Sequence, residues 1–130
     1  MAERLRFGIL GTGGMSHGHA RAILERDDAT LVAIADPSDR AMDSLVSRVV
    51  PAGLDPPARF HDLDALVSHG IDALVIVTPH TQHAGQIARA FVSGIHVLCE
   101  KPLATTAADA RRSMDLASAH ERVLAIGYQR

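Results

Sequence analysis

The sequence predicts an α/β fold in which a parallel sheet is doubly wound, with helices on both faces, and three observations carry that expectation. Short runs of Val, Ile, Leu and Ala alternate with longer amphipathic stretches, the pattern of repeated strand–helix–strand units. Most of the runs are continuous rather than alternating, as strands covered on both faces are. Aromatic residues are few, three Phe, one Tyr and no Trp, which suits aliphatic packing between helices and a sheet.

Strands are expected at Leu5–Leu10, Leu31–Ala35, Ala73–Val77, His96–Cys99 and Val123–Ile126, with a weaker one at Ala58–Phe60. Helices are expected near Gly18–Arg26, Ser38–Val49, Leu63–Ser68, Gln82–Ser93 and Thr106–His120. Asp36-Pro37-Ser38 and Thr78-Pro79-His80 stop strands, and Gly94 stands where a glycine ends a helix. In the last helix Ala107, Ala110, Met114, Ala117 and His120 recur every three or four residues and predict the packed face. The segment 50–57, with Pro51, Gly53, Pro56 and Pro57, reads as a loop, so one domain spanning 1–130 is expected.

Composition excludes several classes. The formal net charge is −2 and no basic run exceeds Arg111-Arg112, so the basic stripe that nucleic acid requires is missing. The apolar stretch Phe7–Leu10 is too short for a signal-peptide core, and no segment approaches membrane-spanning length. A single cysteine, Cys99, forms no intrachain disulfide, and a cytoplasmic location is the expectation. Cys99 reads as a small core residue whose thiol pKa is raised by burial and by Glu100.

The first strand runs into Gly11-Thr12-Gly13-Gly14-Met15-Ser16. In a strand–turn–helix setting the first glycine permits the tight turn, the second lets backbone approach a pyrophosphate, and the helix N-terminus favours its charge. The third fingerprint position holds Ser16, small enough for the close packing that glycine usually serves there. An ordinary βα turn is the competing explanation. The second strand ends at Asp36, where a carboxylate accepts hydrogen bonds from adenosine ribose hydroxyls; a turn or helix-cap aspartate before Pro37 is its alternative. Together they predict a Rossmann-type domain binding NAD, with NADP disfavoured by the carboxylate.

Thr78-Pro79-His80-Thr81-Gln82-His83 and Glu100-Lys101-Pro102 follow later strands, and ligands of open parallel sheets bind beyond those strand ends. Lys101 is expected at the mouth of the crevice, the alternative being a solvated lysine balancing Glu100. The pairs His17-x-His19 and His80-x-x-His83 have spacings found in metal sites, but neither has an acidic ligand beside it, and no metal is expected.

With the glycine loop followed by His19-Ala20, then Ala35-Asp36, Thr78-Pro79 with His83, Glu100-Lys101-Pro102 and a closing Gly127-Tyr128-Gln129-Arg130, the chain resembles the N-terminal domain of the glucose-fructose oxidoreductase, inositol dehydrogenase and MocA (Gfo/Idh/MocA) family. The resemblance covers essentially the whole chain. It implies an NAD(P)-dependent dehydrogenase moving hydride to or from a secondary alcohol of a sugar, cyclitol or related polyol. It also implies cofactor contacts by Gly11, Thr12, Gly13, Gly14, Met15, Asp36, Thr78, Pro79, His83, Glu100 and Lys101, with Lys101 catalytic. The family's remaining catalytic Asp and His belong to a C-terminal substrate domain expected to be absent from this chain, which would leave it inactive alone; homo-oligomer formation by a full-length protein stays open. A non-catalytic NAD-responsive regulatory module is the alternative, against which the lysine speaks. A methyl-donor-binding transferase is a third, against which Glu100-Lys101-Pro102 speaks.

Overall fold

A computed structural model describes residues 3–127. Six strands form one sheet: β1 (Leu5–Leu10), β2 (Ala29–Ala35), β3 (Ala58–Phe60), β4 (Ala73–Ile76), β5 (His96–Glu100) and β6 (Leu124–Gly127). Their spatial order is β3-β2-β1-β4-β5-β6 and every neighbouring pair is parallel. Chain progression reverses between β1 and β4, and a crevice opens at that switch point beyond the strand ends. The helices are α1 (Ser16–Leu24), α2 (Asp39–Val49), α3 (Leu63–His69), α4 (His83–Val92) and α5 (Ala107–Ala119), with a short 3-10 turn at His80–Gln82 before α4.

Winding in two directions places helices on both faces, each over its own core. On one face Ala20 and Ile23 of α1 and Met42 and Leu45 of α2 pack on Ile9, Ile34 and Val75. On the other, Leu66 of α3, Ile87 and Phe91 of α4 and Ala117 of α5 pack on Leu10, Leu74, Ile76 and Cys99. The first face is not covered throughout: Phe7, Leu98 and Ala125 line an apolar groove of about 370 Å³ there.

Local chemistry explains the boundaries. Ser38, Asp62 and Thr106 cap α2, α3 and α5 by accepting the N–H three residues on. Gly94 ends α4 at φ +77°, with its N–H on Phe91 O and that of Ile95 on Ala90 O, the paired bonds of a Schellman stop. Helix α1 begins at Ser16, two residues before expectation, because the Ser16 hydroxyl donates to Gly13 O at 2.6 Å and its N–H to the same oxygen at 2.9 Å. Gly18 therefore sits inside the helix, its low propensity offset by burial of Ala20 and Ile23. The packed face of α5 differs from expectation. Ser113 and Ala117 are buried while Met114 is 54% exposed and His120 exposed, since the close contact of α5 with α4 selects small side chains.

Candidate functional site

The crevice is built from the carboxyl ends of β1, β2, β4 and β5. Gly11 lies at its root between two strands, with its N–H on Ala35 O while Leu10 O accepts from Val77 N, each at 2.8 Å. Its φ is +93°, and a Cβ there would stand 2.6 Å from Val77 O, so only glycine fits. Gly13 differs: it is exposed and a Cβ would meet nothing within 4 Å. Gly13, Gly14 and Met15 thus present open backbone at the N-terminal end of α1, where free N–H groups and the helix dipole suit a phosphate. Ser16 satisfies the third position as a small buried residue bonded into the loop.

Asp36 takes the turn role raised as its alternative. One carboxylate oxygen accepts from Thr12 N–H at 2.8 Å and from the Thr12 hydroxyl at 3.1 Å; the other accepts from Ser38 N–H at 2.8 Å. It is a turn aspartate that also braces the glycine loop. Half-buried at the rim, it keeps acceptor capacity, since an ionised carboxylate offers about four lone-pair sites.

Two cavities adjoin along Val77, Thr78 and Pro79. The larger, about 550 Å³, is bounded by Gly11, Gly13 and Asp36; the smaller, about 200 Å³, by Met15, His83, Glu100 and Lys101. The Thr78 hydroxyl is tied to Gln86 of α4, so that side chain braces the cavity wall. Lys101 is exposed at the end of β5, and the Lys101–Pro102 peptide is cis.

His83, expected to contact the cofactor, lines the smaller cavity and also holds its two flanking loops together. Its ring is 1% exposed, with Nδ1 2.9 Å from Pro102 O and Nε2 2.9 Å from Thr78 O. Both nitrogens face backbone carbonyls, so the side chain clamps the loop after β4 to the loop after β5 and shapes the smaller cavity from behind. Glu100 is likewise turned inward: it is buried, with Oε1 against His19 Nε2. Neither contact has a signal in residue spacing. Cys99 is buried, and burial first, then the Glu100 charge, pushes its thiol up to about 12. Among the described residues no group of three or more His, Cys, Asp or Glu is placed to hold a metal, and no helix is long and apolar enough to cross a membrane. Tyr128, Gln129 and Arg130 lie outside the described residues.

The residues fit a dinucleotide. Gly13 leaves clear the space a side chain would fill, the helix start faces it, and Asp36 lines one of the paired cavities while Lys101 lines the other. A parallel sheet wound in this order around such a site defines a dinucleotide-binding domain of Rossmann type.

Comparison with known proteins narrows the class. The family model described as "Oxidoreductase family, NAD-binding Rossmann fold" matches residues 5–128, and the chain belongs to that family, Gfo/Idh/MocA. It is an NAD-binding domain. It is 33% identical to the rhizopine catabolism protein MocA of Rhizobium meliloti over 127 residues, covering 98% of this chain and 38% of that protein. It is 32% identical to an inositol 2-dehydrogenase of Rhizobium meliloti (strain 1021), covering 97% of this chain and 36% of that one. Among solved structures it resembles the WlbA dehydrogenase from Bordetella pertussis in complex with NADH and UDP-GlcNAcA, with TM-score 0.85, 29% identity and coverage of 96% of this chain and 38% of that one. Scyllo-inositol dehydrogenase from Lactobacillus casei with bound NAD(H) and scyllo-inositol matches with TM-score 0.82 and 27% identity, covering 96% and 36%. The chain therefore spans little more than a third of the length of the relatives it matches.

Proposed function

We propose that the chain holds NAD(H) across the switch point and serves an oxidoreductase that moves hydride between the nicotinamide and a secondary alcohol of a sugar, cyclitol or related polyol. One observation carries this reading: two adjoining cavities share the Val77–Pro79 wall, the one lined by Gly11, Gly13 and Asp36 and the other by Met15 and Lys101. Adenosine ribose belongs beside Asp36, the pyrophosphate over Gly13 and Gly14, and the nicotinamide in the smaller cavity beside Met15, Thr78, Pro79 and Lys101. Bound nicotinamide supplies the hydride chemistry; the chain binds and orients it. Lys101, which lines the smaller cavity, would supply a compact cation and proton donor to a substrate oxygen as charge develops on it. Relatives named as inositol dehydrogenases, one solved with scyllo-inositol, support the polyol class.

Asp36 favours NAD over NADP. A 2′-phosphate about 4 Å from the carboxylate is repelled by about 4 kcal/mol per unit charge at an effective dielectric near 20. By itself the chain is inferred to bind cofactor without turning over a polyol, because hydride transfer needs the substrate held at near-attack distance and a positioned base. The single buried cysteine suits a reducing, cytoplasmic compartment. Calorimetric titration with NADH and NADPH tests the reading: NADH binds about a hundredfold or more tighter. Equal or tighter NADPH binding overturns the role of Asp36, and absence of binding by either overturns the site.

A further inference from the structure

Glu100 is the only buried acidic residue among the described residues, at 7% exposure. A carboxylate withdrawn from water is costly unless a partner compensates it. Two elements confine this one. From α1, His19 brings Nε2 against Glu100 Oε1, the two side chains being 19% and 9% exposed. From β6, Gly127 stands in register with Glu100, and a Cβ there would lie 3.1 Å from the carboxyl carbon. The carboxylate is thus trapped between the edge strand and the helix that follows the glycine loop.

We propose that His19 is a positioning residue for the nicotinamide end of the site, acting through Glu100. The inference rests on assigning the smaller cavity to the nicotinamide. Glu100 and Lys101 are consecutive and both line that cavity, so whatever holds the carboxylate also holds the backbone from which the lysine springs. The contact joins the first turns of α1 to the end of β5, and so keys the phosphate-binding helix to the nicotinamide wall. Without His19 the buried carboxylate loses the partner that α1 supplies and shifts toward other donors, carrying the end of β5 with it. That shift alters the wall facing the nicotinamide. The adenosine end, where Asp36 lies in the other cavity, is untouched.

The test compares NADH with ADP-ribose, which lacks the nicotinamide ring, in calorimetric titrations of the whole chain. For His19→Leu the NADH affinity falls about tenfold, the scale of one lost charge-assisted hydrogen bond, while ADP-ribose affinity stays within about twofold. His19→Gln, which keeps an N–H donor, restores NADH affinity to within about threefold of the parent. Equal losses for the two ligands reduce the pair to a support for α1 and overturn the proposal, as does an unchanged NADH affinity in folded His19→Leu. Should that variant unfold, His19→Leu combined with Glu100→Gln removes the buried anion; a parental ratio of NADH to ADP-ribose affinity then overturns the proposal, and a reduced ratio upholds it. A parent chain that binds neither ligand overturns the cavity assignment itself, and this proposal with it.

Discussion

Thr12 donates twice to one oxygen of Asp36, through its N–H at 2.8 Å and its hydroxyl at 3.1 Å. The glycine loop and the tip of β2 are therefore one unit, and the residue expected to read the ribose also sets the loop that receives the pyrophosphate. Asp36→Ala weakens NADH binding by more than about tenfold and narrows the preference over NADPH to a few-fold, since both the brace and the repulsion are lost. Thr12→Val keeps the volume and removes only the hydroxyl bond, so the preference for NADH survives while stability drops by about 1.5–3 kcal/mol, as hydrogen bonds to charged groups are worth. Paired titrations and denaturant curves check both.

The two glycines of the loop separate stability from binding. Gly11→Ala forces a side chain onto φ +93° and into Val77 O at 2.6 Å, and costs more than about 2 kcal/mol of stability. Gly13→Val sets its Cβ where nothing lies within 4 Å, leaves the melting temperature within a few degrees of the parent, and abolishes NADH binding by filling the pyrophosphate space. Thermal melts and titrations of the two variants give opposite patterns.

Cys99 resists modification. Its thiol is pushed from 9.0 up to about 12 by burial and by Glu100, so the folded chain presents almost no thiolate at neutral pH. Native protein reacts with a thiol reagent only as fast as it unfolds, whereas denatured protein reacts at once. The linked stability has a definite sign. Above pH 9 the unfolded chain releases the thiol proton while the folded chain retains it, so this contribution is present below pH 9 and declines as pH rises toward 12. Cys99→Ser removes that component of the alkaline decline in denaturant midpoint.

In a full-length enzyme carrying this domain, Lys101→Ala lowers kcat by about 10²–10⁴, the scale of a lost proton-transfer group, and leaves NAD affinity within a few-fold. Steady-state kinetics with a polyol, beside a titration of the cofactor, separate the two effects. An unchanged kcat removes Lys101 from the chemistry.

Most of the architecture is legible in short stretches of residues because its causes are local. Continuous aliphatic runs mark β4 and the Leu31–Ala35 stretch of β2, since a strand buried on both faces needs apolar side chains at consecutive positions. Ser38 and Gly94 mark helix ends because their backbone chemistry acts within a few residues. The start of α1 was harder to read, as Gly18 lowers helix propensity at the point where burial of Ala20 restores the helix.

By itself the sequence determined the doubly wound parallel sheet, the glycine loop, the acidic tip of β2 and the arrival of Glu100 and Lys101 at a strand end, while the order of the strands came from the structure. Only the tertiary structure decided what several of those side chains do there. His83 bridges Thr78 O and Pro102 O, and His19 meets Glu100 across 81 positions of chain. Secondary structure and turns follow from interactions between near neighbours. A buried polar side chain takes its partner from whatever distant segments packing brings within hydrogen-bond reach, and that choice is made only when helix and sheet close on each other.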